Sequence, residues 1–172
     1  LDLNNAVGEA MVNVSKWAYP ANYDFEVPHL SKFWVTASAD TVRRLFTVVI
    51  YDQGVSIPVS YPQKSLMDAA QAYLKGLLRP TDTVVYANDA AYIDCAMKFG
   101  NSRSGQEFRG QGLPQMKEMI DEFGSGNLTV CSRGGVWHYE NGKVVSRRGF
   151  SDSIGGTLIE WNINFSEEKS DE

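Results

Sequence analysis

Apolar positions at the start of the chain follow a helical period. Leu3, Val7, Ala10, Val14 and Ala18 recur at spacings of three and four on one stripe, so a helix is expected from Leu3 to about Tyr19, ended by Pro20. The pattern then changes. Phe33 to Ser38 reads as a strand, Ala39-Asp40-Thr41 as a turn and Val42 to Tyr51 as a second strand. Within it, Thr47-Val48-Val49-Ile50 has no polar alternation, which suits a central strand buried on both faces. Asp52-Gln53-Gly54 breaks this strand and Ile57-Pro58 opens a loop. Helical stretches are expected at about Ser65 to Leu78 and at Asp89 to Phe99, separated by Arg79-Pro80-Thr81-Asp82.

From Gly100 to Gly112 the chain turns polar and Gly-rich, as a mobile loop does. Leu113 to Phe123 is helical and closed by Gly124-Ser125-Gly126. Leu128 to Ser132 reads as a strand. Val136 to Glu140 and Lys143 to Arg147 form a hairpin around Asn141-Gly142, and Thr157 to Ile163 is a last, alternating strand. This order predicts an α/β sandwich: a mixed, mostly antiparallel sheet with helices packed on one face. Residues 1–165 are expected to form a single domain and the charged segment 166–172 a disordered tail.

Composition narrows the function classes. A chain of 172 residues suffices for one well-buried core. No stretch approaches the roughly 20 apolar residues of a membrane span, and Leu1-Asp2-Leu3-Asn4 lacks the regions of a signal peptide. The absence of an initiator Met suggests a piece of a longer parent chain. A net charge of -5 does not indicate nucleic acid as a partner. Cys95 and Cys131 lack metal-ligand spacing and read as reduced, buried thiols, with a cytoplasmic location expected. His29 and His138 read as structural or surface residues.

Three segments carry candidate chemistry. Glu9 and Asn13 lie four apart on one helix face, with Lys16 following. A carboxylate there can orient or deprotonate a water, an amide oxygen can hold magnesium, and a lysine can meet phosphate. The same stripe also fits the solvated face of an amphipathic helix. Asp52 ends an apolar strand, where a carboxylate can accept a hydrogen bond from an adenine amino group and Gly54 lets backbone approach a flat ring. A plain turn with an Asx hydrogen bond is the alternative. Arg109-Gly110-Gln111-Gly112-Leu113-Pro114 leads into a helix whose N-terminus favours an anion.

The order and spacing of these segments, with Gly155-Gly156-Thr157 after them, resembles the N, G1, G2 and G3 boxes of the GHKL ATPases, the superfamily of gyrase, heat-shock chaperone, histidine-kinase and mismatch-repair ATPases. Glu9-Ala-Met-Val-Asn13-Val-Ser-Lys16-Trp17-Ala18-Tyr19 is similar to the N box of its kinase and anti-sigma branch. The resemblance spans about Leu3 to Phe165. It implies a Bergerat-type fold that binds ATP or ADP with magnesium. Glu9 would be the general base, Asn13 the metal ligand and Lys16 a phosphate contact. Asp52 would bind the adenine amino group, with Thr157 holding a water beside it and Gly54 and Ile57 lining the ring. Arg109, Gly110, Gln111, Gly112 and Leu113 would meet the phosphates, and about 61–109 would form an ATP lid. Trp17, where many kinase-branch members have His, Ser56, in place of the second G1 glycine, and Pro114, in place of a glycine after G2, depart from the pattern. The implied function is ATP hydrolysis that drives lid closure or signalling to other domains or a partner protein, with a homodimer possible. A protein kinase domain with a histidine or serine acceptor elsewhere, and a non-catalytic nucleotide sensor, are the alternatives.

Overall fold

The computed structural model describes residues 3–25, 28–62, 66–80, 84–100 and 112–165. Its elements run α1 (Leu3–Asn13), a π-helical turn (Val14–Ala18), β1 (Phe33–Asp40), β2 (Leu45–Asp52), α2 (Ile57–Ser60), α3 (Asp68–Leu77), α4 (Asp89–Phe99), α5 (Gly112–Phe123), β3 (Gly126–Ser132), β4 (Gly135–Glu140), β5 (Lys143–Gly149) and β6 (Thr157–Asn164). The six strands form one sheet in the order β1-β2-β6-β3-β4-β5. Every pairing in it is antiparallel, so the expectation of a mixed sheet is corrected.

Alternation along the strands explains the layering. Val48, Ile50, Leu128, Val130, Trp137, Tyr139, Ile159, Trp161 and Ile163 are buried on one face beneath the helices. The opposite face carries a polar lattice in which Thr47 donates to Asn162 (2.7 Å) and Thr129 bonds His138 Nδ1 (2.8 Å). A half-covered sheet needs only one apolar face, so β2 alternates and is not buried on both sides as its composition suggested. The β1–β2 turn also falls later than expected, at 41–44. Asp40 Oδ1 accepts the N–H groups of Val42 (3.0 Å) and Arg43 (2.8 Å), and Arg44 takes a left-handed φ of 54°. Asn141 (φ 51°) and Gly142 (φ 76°) make the tight hairpin turn between β4 and β5.

Helix α4 is the centre of the helical layer. Ile93, Cys95, Ala96 and Met97 are at most 1 % exposed, and the helix packs on β3, β4, β5, α2, α3 and α5. Two buried carboxylates tie it to the sheet. Asp89 accepts two bonds from Arg133 (2.8 and 2.5 Å) and the Gly134 N–H (3.0 Å). Asp94 accepts from Trp137 Nε1 (2.7 Å), the Tyr73 hydroxyl (2.7 Å) and Arg147 Nε (2.9 Å). Helix α4, which falls within the expected lid of about 61–109, is thus packed into the core and held to the sheet by both carboxylates. Residues 101–109 of that expected lid, like the tail 166–172, lie outside the described residues. Among the described residues no helix is long and apolar enough to cross a membrane.

Candidate nucleotide pocket

The ends of three neighbouring strands set the floor of a cavity. The register places Asp52 of β2 opposite Thr157 of β6, and Thr157 opposite Ser132 of β3. All three side chains are buried. Asp52 Oδ1 accepts the Gly54 N–H at 2.8 Å. Burial pushes its carboxyl from 3.8 up to about 6, with the Gly54 bond opposing the rise. Thr157 Oγ1 shares a 2.8 Å hydrogen bond with Ser132 Oγ, which also accepts the Ile57 N–H at 2.9 Å and so fixes the start of α2.

Above this floor lies a cavity of about 60 Å³, several times the space one buried water needs. Its walls are mostly apolar: Val14, Val55, Ile57, Leu113 and Ile159 converge there, with Asn13, Asp52 and Thr157 as polar points. Trp17, 44 % exposed, also borders it. A pocket of this composition suits a flat, mainly apolar ring that carries one donor for the carboxylate.

Glu9 stands one helical turn before Asn13, where α5 begins. A Cβ on Gly112 would sit 2.6 Å from Glu9 Oε2 and 3.2 Å from Asn13 Nδ2, so the missing side chain leaves room for both polar groups. Asn13 Nδ2 is buried and, among the described residues, has no hydrogen-bond partner. An unmatched buried donor costs roughly 1–3 kcal/mol, so an acceptor placed beside it would be stabilising. Glu9 also borders an open cleft with Asn4, Asn5 and Gln115.

The structure thus brings Asn13, Asp52, Ile57, Leu113 and Thr157 around one cavity, with Glu9 and Gly112 beside Asn13. Lys16 is not among the lining residues. The π turn carries more residues per turn than an α-helix, so it rotates Lys16 to the exposed side and brings Trp17 to the rim. Gly54 also differs from expectation, since it meets protein rather than open pocket. A Cβ there would lie 2.3 Å from the Ala18 carbonyl oxygen, which accepts the Val55 N–H at 2.7 Å. Arg109, Gly110 and Gln111 lie outside the described residues. Sequence reasoning missed Ser132, Tyr61 and Val14. Only Ser132 had a legible signal, a lone hydroxyl at the inward position of an otherwise apolar strand end. His29 stacks on Tyr19 (5.2 Å between centroids) and His138 sits on β4, so neither is on a helix.

Among the described residues no cluster of three or more His, Cys, Asp or Glu side chains is placed to hold a metal by itself. Magnesium commonly takes only one or two protein ligands and fills the rest with phosphate oxygens and water, so an amide beside a carboxylate fits it. No protein-family model matches the chain, and no curated protein matches it either.

Proposed function

We propose that this chain is a magnesium-dependent ATP-binding domain of the GHKL type, with a Bergerat-type arrangement of helices on an antiparallel sheet. The observation that supports the reading most is Asp52, a buried carboxylate on the floor of an apolar cavity, with Thr157 beside it and, at the wall, the Asn13 amide nitrogen, which has no partner among the described residues. Asp52 accepts a hydrogen bond from the adenine amino group, and the Thr157 hydroxyl holds a bridging water. Val14, Ile57, Leu113 and Ile159 cover the ring faces. Asn13 gives its N–H to a phosphate oxygen or, with the amide turned over, its oxygen to magnesium. Bound there through the Asn13 amide oxygen, magnesium would supply positive charge to offset that of the phosphates. Glu9 orients or deprotonates the attacking water at the phosphate end, next to Gly112. Hydrolysis then signals to further domains of a longer parent chain or to a partner protein inside the cell, where ATP and magnesium are abundant. Helix α4 stays in the core throughout.

Titration calorimetry of the chain with ATP and magnesium tests the reading. Binding is expected in the wild type and should weaken about 10- to 100-fold in Asp52→Asn, from loss of a charge-assisted hydrogen bond. Glu9→Ala should keep the affinity and lose phosphate release. Absence of binding at millimolar nucleotide would remove the proposal.

A further inference from the structure

The two edges of the sheet are built differently. Edge strand β5 carries Lys143, Arg147 and Arg148, and its pairing with β4 shifts register between His138 and Tyr139. Charges and bulges of this kind block the approach of another strand. Edge strand β1, Phe-Trp-Val-Thr-Ala-Ser-Ala-Asp, has neither device. It contains no lysine, arginine or proline, and its pairing with β2 is regular over all eight residues. Among the described residues β2 is its only partner in the sheet. Phe33, Trp34 and Val35 are 38, 42 and 43 % exposed, with Phe33 and Val35 on the helix face and Trp34 on the polar face. A strand this apolar, open on both faces and along one edge, is a ready template for another strand.

We propose that β1 pairs antiparallel with β1 of a second copy of this chain, joining two sheets across a twofold axis at Thr36. Charge complementarity selects this occupant and this register. A twofold axis perpendicular to the sheet keeps each face on its own side, so residues opposite one another must share a face. With Thr36 on the axis, Lys32 lies opposite Asp40 of the second copy, and Asp40 opposite its Lys32. Phe33 then meets Ala39, Val35 meets Ala37 and Trp34 meets Ser38. Centring the pair on Val35 or Ala37 breaks both charge pairs. Lys32 is exposed, and the Asp40 side chain remains 42 % exposed although its Oδ1 holds the turn. Neither group has to leave a buried site to make the contact.

Sedimentation velocity on the full chain, from micromolar to several hundred micromolar, should approach twice the 19.1 kDa chain mass. Lys32→Glu puts like charges at both ends and should weaken the dimer about tenfold. Asp40→Lys should do the same, while mixing the two variants should restore a mixed dimer, because both of its ends then pair opposite charges. Asp40→Lys also alters the turn, so a second measurement stands apart from it. In a Cys131→Ser background, Thr36→Cys should cross-link to itself on oxidation, and Ser38→Cys, which faces Trp34, should not. A monomer over the whole range overturns the proposal. So does a dimer indifferent to Lys32→Glu, or one that cross-links through residue 38 and not 36.

Discussion

Replacing Asp52 with asparagine should make the unliganded protein more stable while making it bind nucleotide less well. Burial holds the Asp52 carboxyl at about 6 against an ordinary 3.8. The folded state therefore binds this proton more tightly than the unfolded state, and ionising Asp52 opposes folding. The cost is absent below the unfolded value, grows as pH rises through the interval and is complete above about 6. Roughly 1.4 kcal/mol per tenfold difference in proton affinity makes it about 3 kcal/mol, the right order for a side chain 5 % exposed. The substituted amide carries no such charge, and its oxygen can still accept the Gly54 N–H. Thermal melts of both proteins without nucleotide, from mildly acidic to mildly alkaline pH, provide the assay. At alkaline pH the variant should melt about 6–12 °C higher for a chain of this size, with the gap closing toward pH 4. In the wild type, ATP affinity should fall about tenfold per pH unit below about 6, because the adenine amino group needs the ionised acceptor. A variant that melts no higher at alkaline pH, or a gap that ignores pH, would refute the reasoning that a desolvated charge sits at the pocket floor.

Gly112→Ala should displace the Glu9 carboxylate, since its Cβ would come within 2.6 Å of Oε2. Phosphate release is expected to fall about tenfold or more while adenosine affinity holds, and helix propensity keeps stability within about 1 kcal/mol; unchanged release would argue against Glu9 acting at that spot. Trp17 borders the cavity and should report occupancy, so ATP is expected to change tryptophan emission in the wild type and not in Trp17→Phe; a full response in the variant would place the nucleotide elsewhere. Arg133→Ala leaves Asp89 buried without its cation and should cost about 2–3 kcal/mol, less than a fully buried pair because Arg133 is 32 % exposed. Chemical denaturation measures this directly, and a loss below about 1 kcal/mol would mean that water replaces the arginine.

Much of the architecture was legible along the chain because it rests on short-range rules. The apolar stripe of α1, the Asn141-Gly142 hairpin and the alternation in β6 each depend on residues only a few positions apart. Where a strand's second face was concerned, those rules ran out. Thr47-Val48-Val49-Ile50 reads the same whether one side or both are covered, and only the helical layer on a single face decides. Lys16 illustrates a subtler limit, because a π turn is not encoded in the α-helical period and moves every side chain after Asn13 to a new bearing.

The sequence by itself determined which residue types were at hand: a carboxylate and an amide one helical turn apart, an aspartate closing an apolar strand, glycines before a helix. Only the tertiary structure decided that Asn13, Asp52 and Thr157 border one cavity, that Ser132 belongs with them and that Gly54 answers to Ala18 rather than to open pocket. It alone left β1 bare while sealing α4 into the core. The reason is distance along the chain. Local pattern fixes what an element is, whereas proximity between residues more than a hundred positions apart comes from sheet register and layer packing, which no local window of sequence contains.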